Sequence, residues 1–414
     1  MVIGHGPRNT GGQGPDRNRI RNINEDTGAM VRHSSRIELS LSALNRNIRF
    51  IREKTGPDAV FSSVVKANAF GHGIDPFVPM AEKCGIRHFS VASSYEAYEV
   101  IKARKAGSHV MIMGILYDSD LEWVIENEVE FFVYDLQRLE KARDVARKMG
   151  KKAVIHLEVE TGGNRTGLPE SELAKAVRFI NRNVDFFAYA GFCTHFAGIE
   201  SLANQFRINR QLNKFNELYG RSTKNGVKPL LRHTACSAAA LAFPETVMDL
   251  VRVGTAQFGL WPSPDIHNLH LQHTGKVKDS PLTRVLTWKT DIMHVKNIKK
   301  DEFVGYGTSY QAEREMTIAV LPIGYSNGYP RALSNKGEVL IHGKKAPVVG
   351  LVNMNAFMVD ITSIPQARPG DEVVLIGRQK NNNITIRSFS EFTNLINNEL
   401  LSRLPAAIPR SEVR

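Results

Sequence analysis

Sustained alternation of apolar and polar positions begins near Ser40, where Leu41, Leu44, Ile48 and Ile51 mark one face of a helix. Residues 1–35 are rich in Gly, Asn and Arg without periodicity, and are expected to form a flexible leader or extension outside the folded part. Beyond it, short apolar runs alternate with amphipathic stretches. The runs Ala59–Ala67, His88–Ser93, His109–Ile115, Val129–Asp135, Ala153–Glu160, Phe186–Phe196, Leu230–Ser237 and Leu250–Gly259 read as eight strands. The clearest helix between them carries Ile208, Leu212, Phe215 and Tyr219 on one face. Eight strands alternating with helices over about 220 residues are the signature of an α/β fold of the (β/α)8 barrel type. A doubly wound open sheet is the competing arrangement.

Beyond about residue 275 the rhythm changes. Thr287–Ile298, Glu315–Tyr325, Glu338–Gly350, Asn355–Thr362 and Asp371–Gly377 are β-rich segments separated by Gly, Asn and Pro turns. One helix is expected, Ile386–Ile396, with Phe389, Phe392 and Leu395 spaced for one face. Val339, Ile341, Val348 and Val349 read as core. The division is therefore a leader (1–35), a barrel (36–274) and a mainly β second domain (275–414). A chain of 414 residues has room for two such domains.

Composition narrows the function classes. Hydrophobic residues make up 42% and charged residues 23%, as in soluble globular proteins, so a large core is available. No apolar run approaches the roughly 20 residues of a membrane span, and residues 1–29 lack the apolar stretch of a secretory signal. Three cysteines, Cys84, Cys193 and Cys236, are too few and too scattered for a disulfide framework or a metal site, so a reducing cytoplasm and no metal are expected. The net charge of +12 raises nucleic acid as a partner, but the basic residues are spread and form no recognised motif. Anionic small molecules suit that potential equally well.

The first strand runs into Val64-Val65-Lys66-Ala67-Asn68-Ala69-Phe70-Gly71-His72-Gly73. A lysine ending an apolar strand is costly to desolvate unless it reaches solvent or a carboxylate. At a barrel mouth the same desolvation makes a lysine a nucleophile able to form an imine with a carbonyl compound. Arg165 follows the fifth predicted strand, His195 ends the sixth, Ser237 the seventh, and Arg252 to Thr255 occupy the eighth. All lie at or beyond strand C-terminal halves, where barrel enzymes build their sites. Singly, Ser237 also fits a helix cap and His195 a core histidine.

The decapeptide around Lys66 resembles the cofactor-lysine motif of the alanine racemase family. The similarity continues through His156–Leu168, Thr194–Ala197, His233–Leu241, Arg252–Ser263, Tyr306-Gly307, Leu321–Arg331 and Met354–Asp360, and covers Arg36 to Arg410. The resemblance implies pyridoxal 5'-phosphate (PLP) on Lys66, and racemisation of an amino acid, with L-alanine to D-alanine for peptidoglycan precursors as the expected reaction. It assigns cofactor contacts to His195, Ser237, Arg252, Gly254 and Thr255, and substrate contacts to Arg165 and Met354. Ser237 would donate its hydroxyl, and Gly254 and Thr255 their backbone N–H groups, to the phosphate.

Arg252 would face the pyridine nitrogen; a guanidinium accepts no proton, so that nitrogen stays unprotonated and the ring is a weaker electron sink. Racemisation needs a base on each face of Cα. The resemblance gives these roles to Lys66, acting on D-substrates, and Tyr306, acting on L-substrates. Tyr306 would come from the second subunit of a homodimer with shared active sites. A tyrosine, ordinarily with a pKa of about 10, acts as a base near neutrality only beside cations that stabilise its phenolate; His195 is the candidate partner.

Four positions depart from the family's pattern. Glu158 stands where many relatives carry a carbamylated lysine, Phe70 where a tyrosine is usual, Asn355 where an aspartate follows the methionine, and Ala406 where a gate tyrosine is aligned. Phe70 lacks the phenol hydroxyl and Ala406 the whole ring, which would weaken phosphate binding and widen the pocket, so racemisation of serine, lysine or arginine is the alternative to alanine specificity. A non-catalytic PLP carrier and a PLP-dependent decarboxylase are further readings; Tyr306 and its β-rich domain oppose the first, and the contexts of Lys66 and Tyr306 the second.

Overall fold

A computed structural model describes residues 32–224, 226–275, 280–393 and 396–414. Almost all of the expected leader, and Leu395 of the expected helix face, lie outside these residues. From Ser34 to Arg414 the chain forms one unit.

Strand β1 (Ser35–Ser40) opens it and the helix Leu41–Thr55 follows, started by Ser40, whose Oγ accepts from the Ala43 N–H. Eight parallel strands come next: β2 (Val60–Val64), β3 (His88–Ser93), β4 (His109–Ile115), β5 (Glu130–Val133), β6 (Ala153–Glu158), β7 (Phe187–Cys193), β8 (Leu231–His233) and β9 (Leu250–Val253). They pair in the order β8-β7-β6-β5-β4-β3-β2-β9. The remaining seam, between β8 and β9, is bridged by a parallel contact of Cys236 with Arg252 and by Arg252 N–H donating to Ala235 O at 3.0 Å. The sheet is a near-closed (β/α)8 barrel, not a doubly wound sheet. Helices alternate with its strands; in the helix Gln205–Thr223, Ile208, Leu212 and Phe215 are buried as their spacing predicts.

Several strands end earlier than their apolar runs. The run Leu230–Ser237 contributes only Leu231–His233, because Ser237 already starts a helix (Ser237–Ala242). The run Leu250–Gly259 stops at Val253 and turns into a short 3₁₀ segment, Thr255–Phe258. These truncations put Ser237 at the start of a helix, Gly254 at the cap of the 3₁₀ segment and Thr255 at its first residue, all beyond the strand ladder.

The second sheet comprises β10 (Leu286–Asp291), β11 (His294–Ile298), β12 (Met316–Leu321), β13 (Glu338–Ile341), β14 (Lys344–Val349), β15 (Phe357–Asp360), β16 (Glu372–Gln379), β17 (Asn382–Ile384) and β18 (Arg410–Val413). Its order is β11-β12-β15-β14-β13-β16-β10-β1-β18, with β17 beside β16. Val339, Ile341, Val348 and Val349 are buried in its core. Strand β1 belongs here, antiparallel to β10 and parallel to β18. Ser35, expected in the leader, is therefore the first residue of this sheet; alternation of buried Ile37 and Leu39 with Arg36 and Glu38 is the two-residue period responsible. The helix beginning at Ile386 runs to Thr393, and a second, Asn397–Ser402, follows it. Among the described residues no helix is long and apolar enough to cross a membrane.

Candidate active site

Lys66 leaves β2 through an unusual turn. Ala67, Asn68, Ala69 and Phe70 all have φ of 52–53°, the left-handed region that costs an L-residue roughly 1–2 kcal/mol each. The surroundings hold the turn in place. Ala67 N–H donates to Glu96 Oε1 at 2.6 Å, Asn68 Oδ1 accepts from Ile74 N–H at 2.9 Å, and Arg410 Nε donates to Gly71 O at 2.9 Å. Glu96 stands three residues after the helix cap Ser93, a capping-box spacing, but its second oxygen accepts from Ala92 N–H and its first from the Lys66 turn. The result presents an exposed Lys66 side chain at the C-terminal end of β2.

Across the mouth, Arg252 on β9 is 4% exposed. Its Nη1 donates to His233 Nδ1 at 2.5 Å and His233 O at 3.1 Å; Nη2 donates to Thr194 O at 2.8 Å and Thr234 O at 3.2 Å. His195, two residues past β7, is half-buried, and burial together with the positive charges of Arg252, Arg165 and Lys66 pushes its pKa down to about 3. Three cations thus converge on a neutral imidazole. Glu158, the last residue of β6, is buried with one carboxylate oxygen lacking a hydrogen-bond partner. Burial raises its pKa, against the pull of a Thr166 hydrogen bond and the charges of Arg252 and Arg165. Glu158, Arg165, Thr194 and His195 share the wall of a cavity of about 190 Å³.

Arg165 rides on a loop that Glu160 pins. Glu160 Oε1 accepts from the N–H groups of Gly162 (2.5 Å) and Gly163 (2.6 Å), and Oε2 from Asn164 N–H (2.9 Å). Ser237 Oγ accepts from the N–H groups of Gly254 at 2.9 Å and Ala256 at 3.4 Å, which leaves its own O–H as a donor. Thr255 Oγ1 accepts from Asn398 Nδ2 at 3.1 Å. The Phe70 ring packs on Phe258, and a Cβ at Gly254 would come within 3.2 Å of Phe70 Cζ, so glycine keeps this wall clear. Phe70 offers no hydroxyl here.

Lys66, Arg165, His195, Ser237, Arg252, Gly254 and Thr255 therefore gather at one end of the barrel. Tyr306 and Met354 do not join them within the chain. Tyr306 sits between Gly305 and Gly307, both with positive φ, and is 75% exposed; Met354 is 57% exposed. Asn355 donates to Ser326 Oγ, and Ala406 is exposed with its carbonyl accepting from Arg410. Glu96, Glu160 and Asn398 are supports that the sequence did not single out; only Glu96 had a local signal, its spacing from Ser93. Among the described residues no cluster of metal-ligating side chains occurs.

The donor set fits PLP: an amine for the aldehyde, the Ser237 hydroxyl and the Thr255 N–H for a phosphate, and guanidinium groups for an aromatic ring carrying anionic oxygen; the Gly254 N–H, expected to face the phosphate, instead donates to Ser237 Oγ.

Known proteins are similar to the chain in sequence and in fold. Residues 39–262 match the model for the alanine racemase N-terminal domain and residues 285–412 that for its C-terminal domain. An alanine racemase of Methanococcus maripaludis is 33% identical over 92% of this chain and 99% of its own length, and one of Leptospira interrogans 32% identical over 94% and 99%. The crystal structure of alanine racemase from Streptomyces lavendulae superposes with a TM-score of 0.83 at 29% identity, covering 93% of this chain and 98% of that one. That from Bacillus anthracis with bound L-Ala-P gives 0.83 at 29% identity, covering 93% and 96%. The chain belongs to the alanine racemase family, whose members are PLP-dependent isomerases.

Proposed function

We propose that the chain interconverts L- and D-alanine with PLP held on Lys66. The observation that carries this reading is the placement of Lys66, Arg165, His195, Ser237, Arg252 and Thr255 at the C-terminal ends of the barrel strands, with Arg165 and His195 on one cavity wall. PLP, when bound, supplies the electron-withdrawing ring that acidifies the substrate Cα–H. Ser237 Oγ–H and the Thr255 N–H would bind its phosphate, with the Gly254 N–H holding the Ser237 oxygen in place. Arg252, which cannot take up a proton, faces the ring nitrogen. Arg165 holds the substrate carboxylate, with Glu158 as its counter-charge.

Lys66 exchanges the proton on one face of Cα and Tyr306 that on the other. Because His195 stays neutral, it steadies a Tyr306 phenolate only as a hydrogen-bond donor, and the positive potential comes from the cations behind it. The exposure of Tyr306 and Met354 supports a homodimer in which each chain supplies both residues to its partner's site. We place the enzyme in the cytoplasm, where D-alanine serves peptidoglycan precursors.

A second reading, racemisation of larger side chains, draws on Phe70 and Ala406, which remove two phenol groups. Both are decided by chiral chromatography after incubating the PLP-loaded protein with L-alanine, L-serine, L-lysine and L-arginine separately. The proposal expects D-alanine as the dominant product. Comparable rates on lysine would favour the second reading, and no D-product from any substrate would refute both.

A further inference from the structure

Behind Arg252 a continuous polar chain descends through the barrel interior. His233 Nε2 lies 2.9 Å from His156 Nδ1, and His156 Nε2 lies 2.7 Å from Glu130 Oε2. The carboxylate also receives His88 Nε2 at 3.2 Å and, on its other oxygen, His109 Nδ1 at 3.2 Å. Arg252, His233, His156, Glu130 and His88 are all buried, whereas the His109 side chain is 70% exposed at the start of β4.

Donor chemistry permits one order of protons. A guanidinium only donates, so His233 Nδ1 must accept from Arg252 and its proton must sit on Nε2. That proton then donates to His156 Nδ1, which places the His156 proton on Nε2, facing Glu130. An ionised carboxylate only accepts, and the chain closes without conflict. Burial keeps both imidazoles neutral, lowering their pKa values. Burial opposes the charge of Glu130 too, but hydrogen bonds from His109, His156 and His88 outweigh it. Glu158, by contrast, is pushed toward its neutral acid. Glu130 is thus the firmly ionised counter-charge of Arg252, with two imidazoles between them. At Arg252 itself, backbone carbonyls and His233 take up N–H groups of the guanidinium, and no carboxylate of the described residues lies within salt-bridge distance.

We propose that Glu130 is a positioning residue for racemisation: it fixes the proton order on His156 and His233, and through it the plane in which Arg252 presents its guanidinium at the barrel mouth. This rests on the reading that Arg252 faces the cofactor ring.

The test is histidine tautomer assignment by ¹⁵N NMR in the PLP-loaded protein with ¹⁵N-labelled histidine, together with kcat and KM for both alanine enantiomers. In the unmodified protein His156 and His233 are expected to be neutral with the proton on Nε2 near neutral pH. Glu130→Gln keeps an acceptor oxygen between His156 and His88, while its NH2 faces His109, which can accept. It should preserve both tautomers and keep kcat within about threefold. Glu130→Leu removes the acceptor; His156 should become a tautomer mixture, with kcat down by about tenfold or more and KM changed by less than about twofold.

A proton on Nδ1 of either histidine, or double protonation, in the unmodified protein overturns the proposal without any variant. So does a Leu variant with unchanged tautomers and kcat, or a Gln variant as damaged as the Leu one. If Glu130→Leu does not fold, the unmodified protein and the Gln variant decide. Absence of racemase activity in every form would refute the proposed reaction while leaving the tautomer result to stand or fall separately.

Discussion

Glu158 shows most clearly how one side chain substitutes for another's chemistry. Burial raises its pKa, while Arg165 and Arg252 oppose that rise. In the proposed reading its carboxylate takes the place of a carbamylated lysine, so activity should not respond when bicarbonate and carbon dioxide are stripped from the buffer. Glu158→Ala removes a negative charge acting on Arg165 without a direct hydrogen bond and should lower kcat/KM for alanine by about two- to fivefold, the ~0.5–1 kcal/mol of such an ion pair. Full activity in that variant would show that Arg165 is oriented by its loop alone. Because the Glu158 pKa is raised, its anion is lost sooner than an ordinary glutamate's as pH falls. KM should therefore rise on the acid side before the other carboxylates titrate.

At the level of elements, the turn after Lys66 is the part under most constraint. Gly71 has φ of +79°, and a Cβ there would lie 1.9 Å from Leu401 O, a backbone atom that cannot swing aside. Gly71→Ala should cost at least ~2 kcal/mol of stability in denaturant unfolding, through the left-handed conformation and the clash together. An unchanged midpoint would mean that the Leu401 segment yields.

The same elements show what the sequence could reveal. Barrel strands were legible because buried parallel strands are nearly continuous apolar runs, yet their ends were not: Thr234 to Ser237 continue the apolar-small pattern while the backbone already turns into a helix. The helix Pro264–Thr274 escaped notice since Ile266 is its one fully buried residue and no apolar stripe marks it, although Ser263 and Gly275 cap it. The candidates Lys66, Arg165, His195, Ser237 and Arg252 are legible from strand ends and family motifs, and the fold gathers them at one end of the barrel. The Glu130 chain was not, because its members lie far apart along the chain, 26 residues between Glu130 and His156 and 77 between His156 and His233, and only barrel register joins them.

For the whole molecule, the proposed homodimer, in which each exposed Tyr306 enters its partner's site, would make function a property of an assembly. Lys66→Ala and Tyr306→Phe chains should each be nearly inactive alone. Mixed after dissociation and reassociation, they should recover activity in about a quarter of the sites, since each hybrid dimer has one intact site. No recovery would argue for sites contained within one chain. Stability should also decline with acid. His72 and His195 have pKa values lowered to about 3, so between there and about 6.5 the unfolded chain binds protons that the folded one does not; stability is full above that window and is lost as pH falls through it. A melting temperature independent of pH across that range would contradict these burials.

The central claim, that Lys66 carries the cofactor, is tested most directly by reducing the PLP-loaded protein with borohydride and mapping its peptides by mass spectrometry. The account predicts the pyridoxyl-phosphate mass on the peptide containing Lys66 and its loss in Lys66→Ala; modification of a different lysine, or of none, would contradict it.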